Sequence, residues 1–169
     1  MLFLADIPGL FSNVSGFAIA VFGAAIAAGL ACCGSAIGVG IAGKSAAGVM
    51  SEKPELFGKL LVLQALPGTQ GIYGFLVAIL IMVNIGALGG DNAAFDVATG
   101  WAFVGAGLPI GLGGLVSAIY QGKAAAASIQ MTGKDPEQFA KGITMTALVE
   151  TYAILSLLVS ILLVFGIKV

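Results

Sequence analysis

The sequence predicts an all-α membrane protein of four transmembrane helices, folded as two tandem duplicated hairpins that assemble into a ring. Three observations predict it. Long apolar runs dominate a chain of 169 residues that is 59% hydrophobic and 9% charged, where soluble domains carry about 25% charged residues. Three short breaks rich in Pro, Gly, Asp and Asn divide those runs into four. The second half also repeats the first at one constant offset.

The four runs cover roughly 11–49, 56–88, 97–130 and 138–168. Breaks are expected at SEKPE (51–55), GGDNAAFD (89–96) and TGKDPE (132–137). Each run exceeds the roughly 20 residues that a helix needs to cross a bilayer. In lipid the backbone must satisfy its own hydrogen bonds, and runs this long and apolar do so as helices. Almost nothing remains outside the bilayer, so there is no room for a soluble catalytic domain. A net charge of -1 leaves no basic footprint for nucleic acid. The absence of His excludes a His-based metal site, and adjacent Cys32 and Cys33 read as small packing residues. The first 43 residues hold no Lys, so the positive region of a signal peptide is missing.

Six of seven lysines (44, 53, 59, 123, 134 and 141) flank the first and third breaks, whereas the middle break carries Asp91 and Asp96. The N-terminal stretch offers Asp6, and only Lys168 lies at the far end. Basic loops stay cytoplasmic, so 51–55 and 132–137 are expected inside and both termini outside. Residues 1–90 form one hairpin and 91–169 a second hairpin of the same orientation.

The hairpins match at an offset of 82. Ser35-Ala36-Ile37 falls on Ser117-Ala118-Ile119, Pro54-Glu55 on Pro136-Glu137, Ala65-Leu66 on Ala147-Leu148, and Leu76-Val77 on Leu158-Val159. Runs one and three are rich in Gly and Ala, with four-residue spacings such as Gly34/Gly38 and Gly107/Gly111. Such spacing lets helix backbones approach closely in lipid. Runs two and four carry the bulky Leu, Ile, Val and Phe. The texture predicts an inner layer of runs one and three, an outer layer of two and four, and side-by-side repetition in a ring. Ordinary packing within one chain is the plainer use of the same glycines.

The duplication has one consequential edit: Glu150 of the last run aligns with Gly68. An acid at the centre of a membrane helix costs about 2.5–3.5 kcal/mol on insertion scales, and such residues mark ion pathways. The plainer alternative is a structural carboxyl kept neutral between helices. Gln121 lies 14 residues before Asp135 and Glu150 15 after it, so both sit about 20 Å from the turn at 1.5 Å per residue. Gln70 lies 17 residues after Lys53 with Thr69 beside it, which permits one polar layer. A carboxylate, two amide oxygens and a hydroxyl are hard-cation donors. Pro67 removes the partner of the Leu63 carbonyl and disturbs the preceding turn, which frees carbonyls near 63–66. Tyr73 follows Gln70 by about one turn and is placed to donate to the acid. One carboxylate among neutral oxygens suits a monovalent cation; the ligand-rich setting favours Na+ over H+, although the extra oxygens could also hydrogen-bond a protonated acid. For each Gln and for Thr69, interhelical or own-helix hydrogen bonding is the alternative use.

LQALPGTQGIYGF (63–75), SAIYQGKAAAASI (117–129) and ALVETYAIL (147–155) resemble the duplicated-hairpin proteolipids of V-type ATPases, above all those of bacterial sodium-translocating enzymes. The resemblance covers nearly the whole chain. It implies a homo-oligomeric rotor ring in the bacterial plasma membrane, turned by ATP hydrolysis in a separate soluble head, so that the chain itself is not hydrolytic. It implies Na+ as the transported ion, with no organic cofactor, bound by Glu150, the side-chain oxygens of Gln70 and Gln121, the Thr69 hydroxyl and the Leu66 carbonyl. It implies a hydrogen bond from Tyr73 to the acid. Central-stalk subunits would meet the cytoplasmic loops, and a stator membrane subunit would supply an arginine that this chain lacks. A proton-translocating proteolipid of the same architecture and a self-contained small channel or transporter are the competing readings.

Overall fold

A computed structural model describes residues 15–89 and 94–169. Asp6, Asp91, the start of the first run and the expected boundary between 90 and 91 lie outside the described residues. Helix α1 spans Gly16–Glu52. The second run is divided into α2 (Phe57–Ala65) and α3 (Thr69–Asn84), joined by a 3-10 turn at Leu66–Gly68. Helices α4 (Val97–Lys134) and α5 (Phe139–Gly166) complete the chain. Among the described residues, four helical stretches (16–52, 54–84, 97–134 and 136–166) are long and apolar enough to cross a membrane.

The starts of α1 and α4 are capped by polar side chains. Ser15 Oγ accepts from the Ala18 N–H at 3.2 Å, and Asp96 accepts from the Thr99 N–H at 2.8 Å. Donation from Thr99 holds the Asp96 carboxyl below the usual carboxylate range. The second run ends in a turn over 85–89, where Gly86 takes φ 74°, a conformation open to Gly but costly for other residues.

The first and third breaks are shorter than their composition predicts. Only Lys53 separates α1 from the 3-10 turn Pro54–Leu56, and only Asp135 separates α4 from Pro136–Gln138. Each proline sits at the first turn of its element, where its missing N–H costs nothing. Thr132, Gly133 and Lys134 are helical, not loop. Gly133 is there for space: a Cβ would lie 2.7 Å from Val49 Cγ1. Lys53 Nζ donates to the Gly133 carbonyl at 2.6 Å and Lys59 Nζ to the Pro136 carbonyl at 2.9 Å. Lys53 satisfies an orphan carbonyl at the C-terminus of α4 and suits its negative dipole, while Lys59 ties the second run to the third break.

Helices α1 and α4 run parallel with backbones almost in contact. A Cβ on Gly23 would meet the Phe103 carbonyl at 2.7 Å, one on Gly34 the Leu115 Cα at 2.5 Å, and one on Gly122 the Gly38 Cα at 2.5 Å. Partners lie close to 82 residues apart, so repeat-equivalent positions stand at the same height. The contact is not symmetric between the copies. On α1 it uses Gly16, Gly23, Gly34 and Gly38, whose equivalents on α4 (Ala98, Gly105, Val116 and Tyr120) are exposed. On α4 it uses Gly100, Gly107, Gly111 and Gly122, whose equivalents on α1 (Ala18, Ala25, Gly29 and Gly40) are exposed. One face of each repeat is thus spent internally and the complementary face is left open.

Two apolar clusters fill the unit. One gathers Val77, Ile81, Ile85, Phe103, Ile110 and Val164; the other gathers Leu56, Leu60, Leu63, Ala125 and Ile129. Between them lies a polar layer.

Candidate ion-binding site

Pro67 sets the local geometry. Its ring breaks the α2–α3 run into a 3-10 turn. The Leu66 carbonyl there accepts the Thr69 N–H, and the Thr69 hydroxyl lies 3.1 Å from the same oxygen and 3.4 Å from Gln70 Oε1. One hydroxyl proton serves only one of these acceptors at a time. Gly38 admits the turn: a Cβ there would lie 2.8 Å from Pro67 Cβ. Gly122 packs on Gly38 from the other side, which carries neighbouring Gln121 to Gln70. Gly114 stands opposite Gln70, 3.7 Å from its Cβ by the same measure.

Gln70 and Gln121 are fully buried. Gln70 Nε2 donates to Gln121 Oε1 and lies 3.3 Å from Ser117 Oγ. Gln121 Nε2 donates to Glu150 Oε2 at 3.3 Å, and the Tyr73 hydroxyl donates to Glu150 Oε1 at 2.5 Å. Thr69, Gln70, Gln121 and Glu150 therefore form one chain of polar groups, with Tyr73 closing on the second carboxylate oxygen. The Leu66 carbonyl adjoins the chain through Thr69. The six residues predicted from sequence are joined in one string of contacts, with Leu66 and Thr69 at one end and Tyr73 on Glu150 at the other. Glu150 is half-buried.

Ser117 joins the site without having been singled out by sequence. Its hydroxyl donates to the Val149 carbonyl at 3.0 Å and ties α4 to α5 one residue before Glu150. The signal was present, because Ser occupies this position in both repeats. Its counterpart Ser35 accepts from the Gly71 N–H at 2.8 Å, an amide one turn past the proline. Farther along, Ser160 Oγ accepts from the Ile110 N–H at 3.1 Å, next to Pro109 inside α4. Buried serines thus recover backbone donors near prolines, as membrane helices require.

Chemically, the layer offers one negative oxygen pair, two amides that can present either end, a hydroxyl and a backbone carbonyl. Groups of that kind hold a small cation or a proton.

The family model for the C subunit of ATP synthase matches residues 22–81 and again 104–163. The chain belongs to the ATP synthase C-subunit family. The double match falls on the two repeats, and the family consists of ring-forming membrane proteolipids, the non-hydrolytic rotor part of a rotary ATPase. The chain is 48% identical over 157 residues to the K subunit of the V-type sodium ATPase of Enterococcus hirae, covering 93% of this chain and 97% of that one. It is 48% identical over 145 residues to the K subunit of the A-type ATP synthase of Methanocaldococcus jannaschii, covering 86% of this chain and 61% of that one. It is 29% identical over 144 residues to the 16 kDa proteolipid of the V-type proton ATPase of Nephrops norvegicus, covering 85% and 87%. As a member of this family with four apolar spans, the chain is a multi-pass membrane protein.

Proposed function

We propose that this proteolipid carries Na+ across the membrane on Glu150, as the rotor subunit of an ATP-driven pump. The observation that carries the reading is the meeting of Glu150 with Tyr73 and Gln121, backed by Gln70, Thr69 and the Leu66 carbonyl. A proton needs a carboxyl and an apolar niche. Two buried amides and a proline-freed turn are surplus to that need but serve as oxygen donors to an alkali ion. Turning an amide exchanges its nitrogen for its oxygen in nearly the same space, so Gln121 can face either the bare carboxylate or a cation beside it. A single carboxylate balances a single positive charge.

The mechanism follows from the cost of charge in lipid. Na+ on Glu150 neutralises the site, and the occupied copy can then turn through hydrocarbon. An empty, ionised Glu150 is expensive there. At the stator, a fixed arginine from a separate membrane protein competes for the carboxylate and the ion leaves. This chain has no Arg and must borrow that charge. Rotation is coupled to transport because only the loaded form passes the lipid face. The lysine-flanked breaks at 53 and 135 face the cytoplasm of a bacterial cell and meet the central stalk; the termini and middle break face outside.

The open faces of α1 and α4 supply the ring geometry. Ala18, Ala25, Gly29 and Gly40 of one copy receive Ala98, Gly105, Val116 and Tyr120 of the next, in the register of the contact inside each chain but with more room where Val116 and Tyr120 stand in place of Gly34 and Gly38. Gly29, Gly40 and Gly105 have nothing within 4 Å of an added Cβ in the single chain. A face-to-different-face contact closes into a ring when its rotation divides a full turn.

Carbodiimide labelling of assembled rings tests the ion. Glu150 is expected to react, and Na+ to protect it at constant pH. Labelling that follows pH but ignores Na+ would transfer the site to protons.

A further inference from the structure

We infer that Tyr152 of one copy plugs the acid-less second copy of the ion site, which lies on the first hairpin of the next copy. The inference rests on the ring reading above and adds what fills each junction. Within the chain, Gln70 of the first hairpin reaches into the second, against Gly114, Ser117 and Gln121, beside Glu150. Moving every partner by 82 residues gives the corresponding contact between copies. Gln70 becomes Tyr152 of one copy, and Gly114, Ser117, Gln121 and Glu150 become Cys32, Ser35, Val39 and Gly68 of the next.

The replacements form a complementary set. Where the intact site has a carboxylate and an amide, the junction has no side chain at Gly68 and an apolar one at Val39. A Cβ on Gly68 would touch only Val39 Cγ2, at 3.7 Å. The volume lost on that side is matched by the change from Gln70 to the larger Tyr152 on the other. Close packing requires such compensation. In the single chain Tyr152 is 68% exposed, while its counterpart Gln70 is fully buried. The local frame is kept: Thr151 Oγ1 donates to the Leu148 carbonyl at 2.8 Å, as Thr69 does to Leu66. The residue that the junction needs is therefore the one left uncovered. With no anion and no amide oxygen facing it, this second niche holds no cation and seals each junction, so the ring carries one ion per protomer.

Native Cys32 supplies the test. Gln70 Cβ lies 3.7 Å from the Cβ position of Gly114, and disulfides join Cβ atoms about 3.5–4.5 Å apart. Tyr152→Cys in a Cys33→Ala ring, oxidised with copper phenanthroline, is expected to give a ladder of cross-linked protomers that disappears when Cys32 is also replaced by Ala. Val116→Cys is the control, because the Gly34–Leu115 contact translates to Val116 against Cys33 of the next copy. It is made with Cys32→Ala and Cys33 retained. A ladder from Val116→Cys with none from Tyr152→Cys would overturn the plug while leaving the ring intact. No ladder from either would overturn the ring packing itself. Replacing Tyr152 with benzoylphenylalanine keeps an aromatic side chain should the cysteine variant fail to assemble. Illumination is then expected to join position 152 to residues 32–39 or to Gly68 of the next copy. Attachment only to lipid would also reject the plug.

Discussion

The proposed mechanism concentrates the function in one side chain, Glu150, and gives its neighbours the task of setting how it is used. Glu150→Gln keeps the size and much of the hydrogen bonding but removes the charge. Rings of that variant are expected to assemble while ATP-driven Na+ uptake into vesicles is lost. Uptake persisting in that variant would remove the carboxylate from the transport step. Tyr73→Phe deletes one donor to a charged oxygen, a bond worth about 1.5–3 kcal/mol. Its Na+ half-saturation in direct binding to isolated rings is expected to rise about tenfold or more, each 1.4 kcal/mol being a factor of about ten. The level of the site was legible in the sequence, because a helix turns residue count into height. Counting from Asp135 puts Gln121 and Glu150 in one layer, and the structure joins them at 3.3 Å. The orientation of the amides was not legible, and neither was the bond from Ser117 to the Val149 carbonyl. Both depend on which way side chains turn inside a packed layer, and residue spacing carries no record of that.

At the level of elements, the four spans follow from apolar length, and the break at Pro67 from its missing N–H. The extent of the other breaks does not follow from composition. Thr132, Gly133 and Lys134 have loop-like composition, yet they continue α4 because Gly133 lets Val49 in close and Lys53 caps the Gly133 carbonyl. Composition reports a tendency, and a close helix contact overrides it. Pro67→Ala is expected to rebuild a continuous helix from Phe57 to Asn84 and return the freed carbonyl to the helix ladder. Na+ binding in isolated rings should then weaken more than ring assembly, with native electrophoresis following the second. Asp135 offers a pH test of the third break. Donation from Gln138 and the Glu137 N–H holds its carboxyl below the usual range. Its stabilising effect is therefore present above the unfolded-state pKa and is lost as pH falls through the lower folded value. Asp135→Ala should lower the dissociation temperature of the ring near neutral pH, and the difference from the parent should shrink below roughly pH 4.

The whole molecule is half of a larger symmetry. Its two hairpins are copies, and the seam between α1 and α4 joins unlike faces of those copies. That leaves one used and one unused version of each face on the same chain. The glycines make this distinction testable. Gly122 and Gly40 are repeat equivalents. A Cβ on Gly122 would collide with Gly38 of the same chain, whereas one on Gly40 meets open space. If Gly40 served only its own chain, Gly40→Leu would be harmless. If the internal seam is repeated between copies, the same substitution would drive its side chain into Tyr120 of the neighbour. Gly40→Leu is therefore expected to give a helical, membrane-inserted chain that runs as a monomer or short oligomer on native electrophoresis. Gly122→Leu should prevent stable folding of the chain itself. Gly166→Leu, near the end of α5 with nothing within 4 Å of an added Cβ, is the neutral comparison. Intact rings from Gly40→Leu would refute the repeated seam, because a leucine at 40 would fill the space that this packing gives to Tyr120 of the neighbour. Loss of rings from Gly40→Leu alone, with circular dichroism unchanged from the parent, would identify this glycine as one that serves a neighbouring copy.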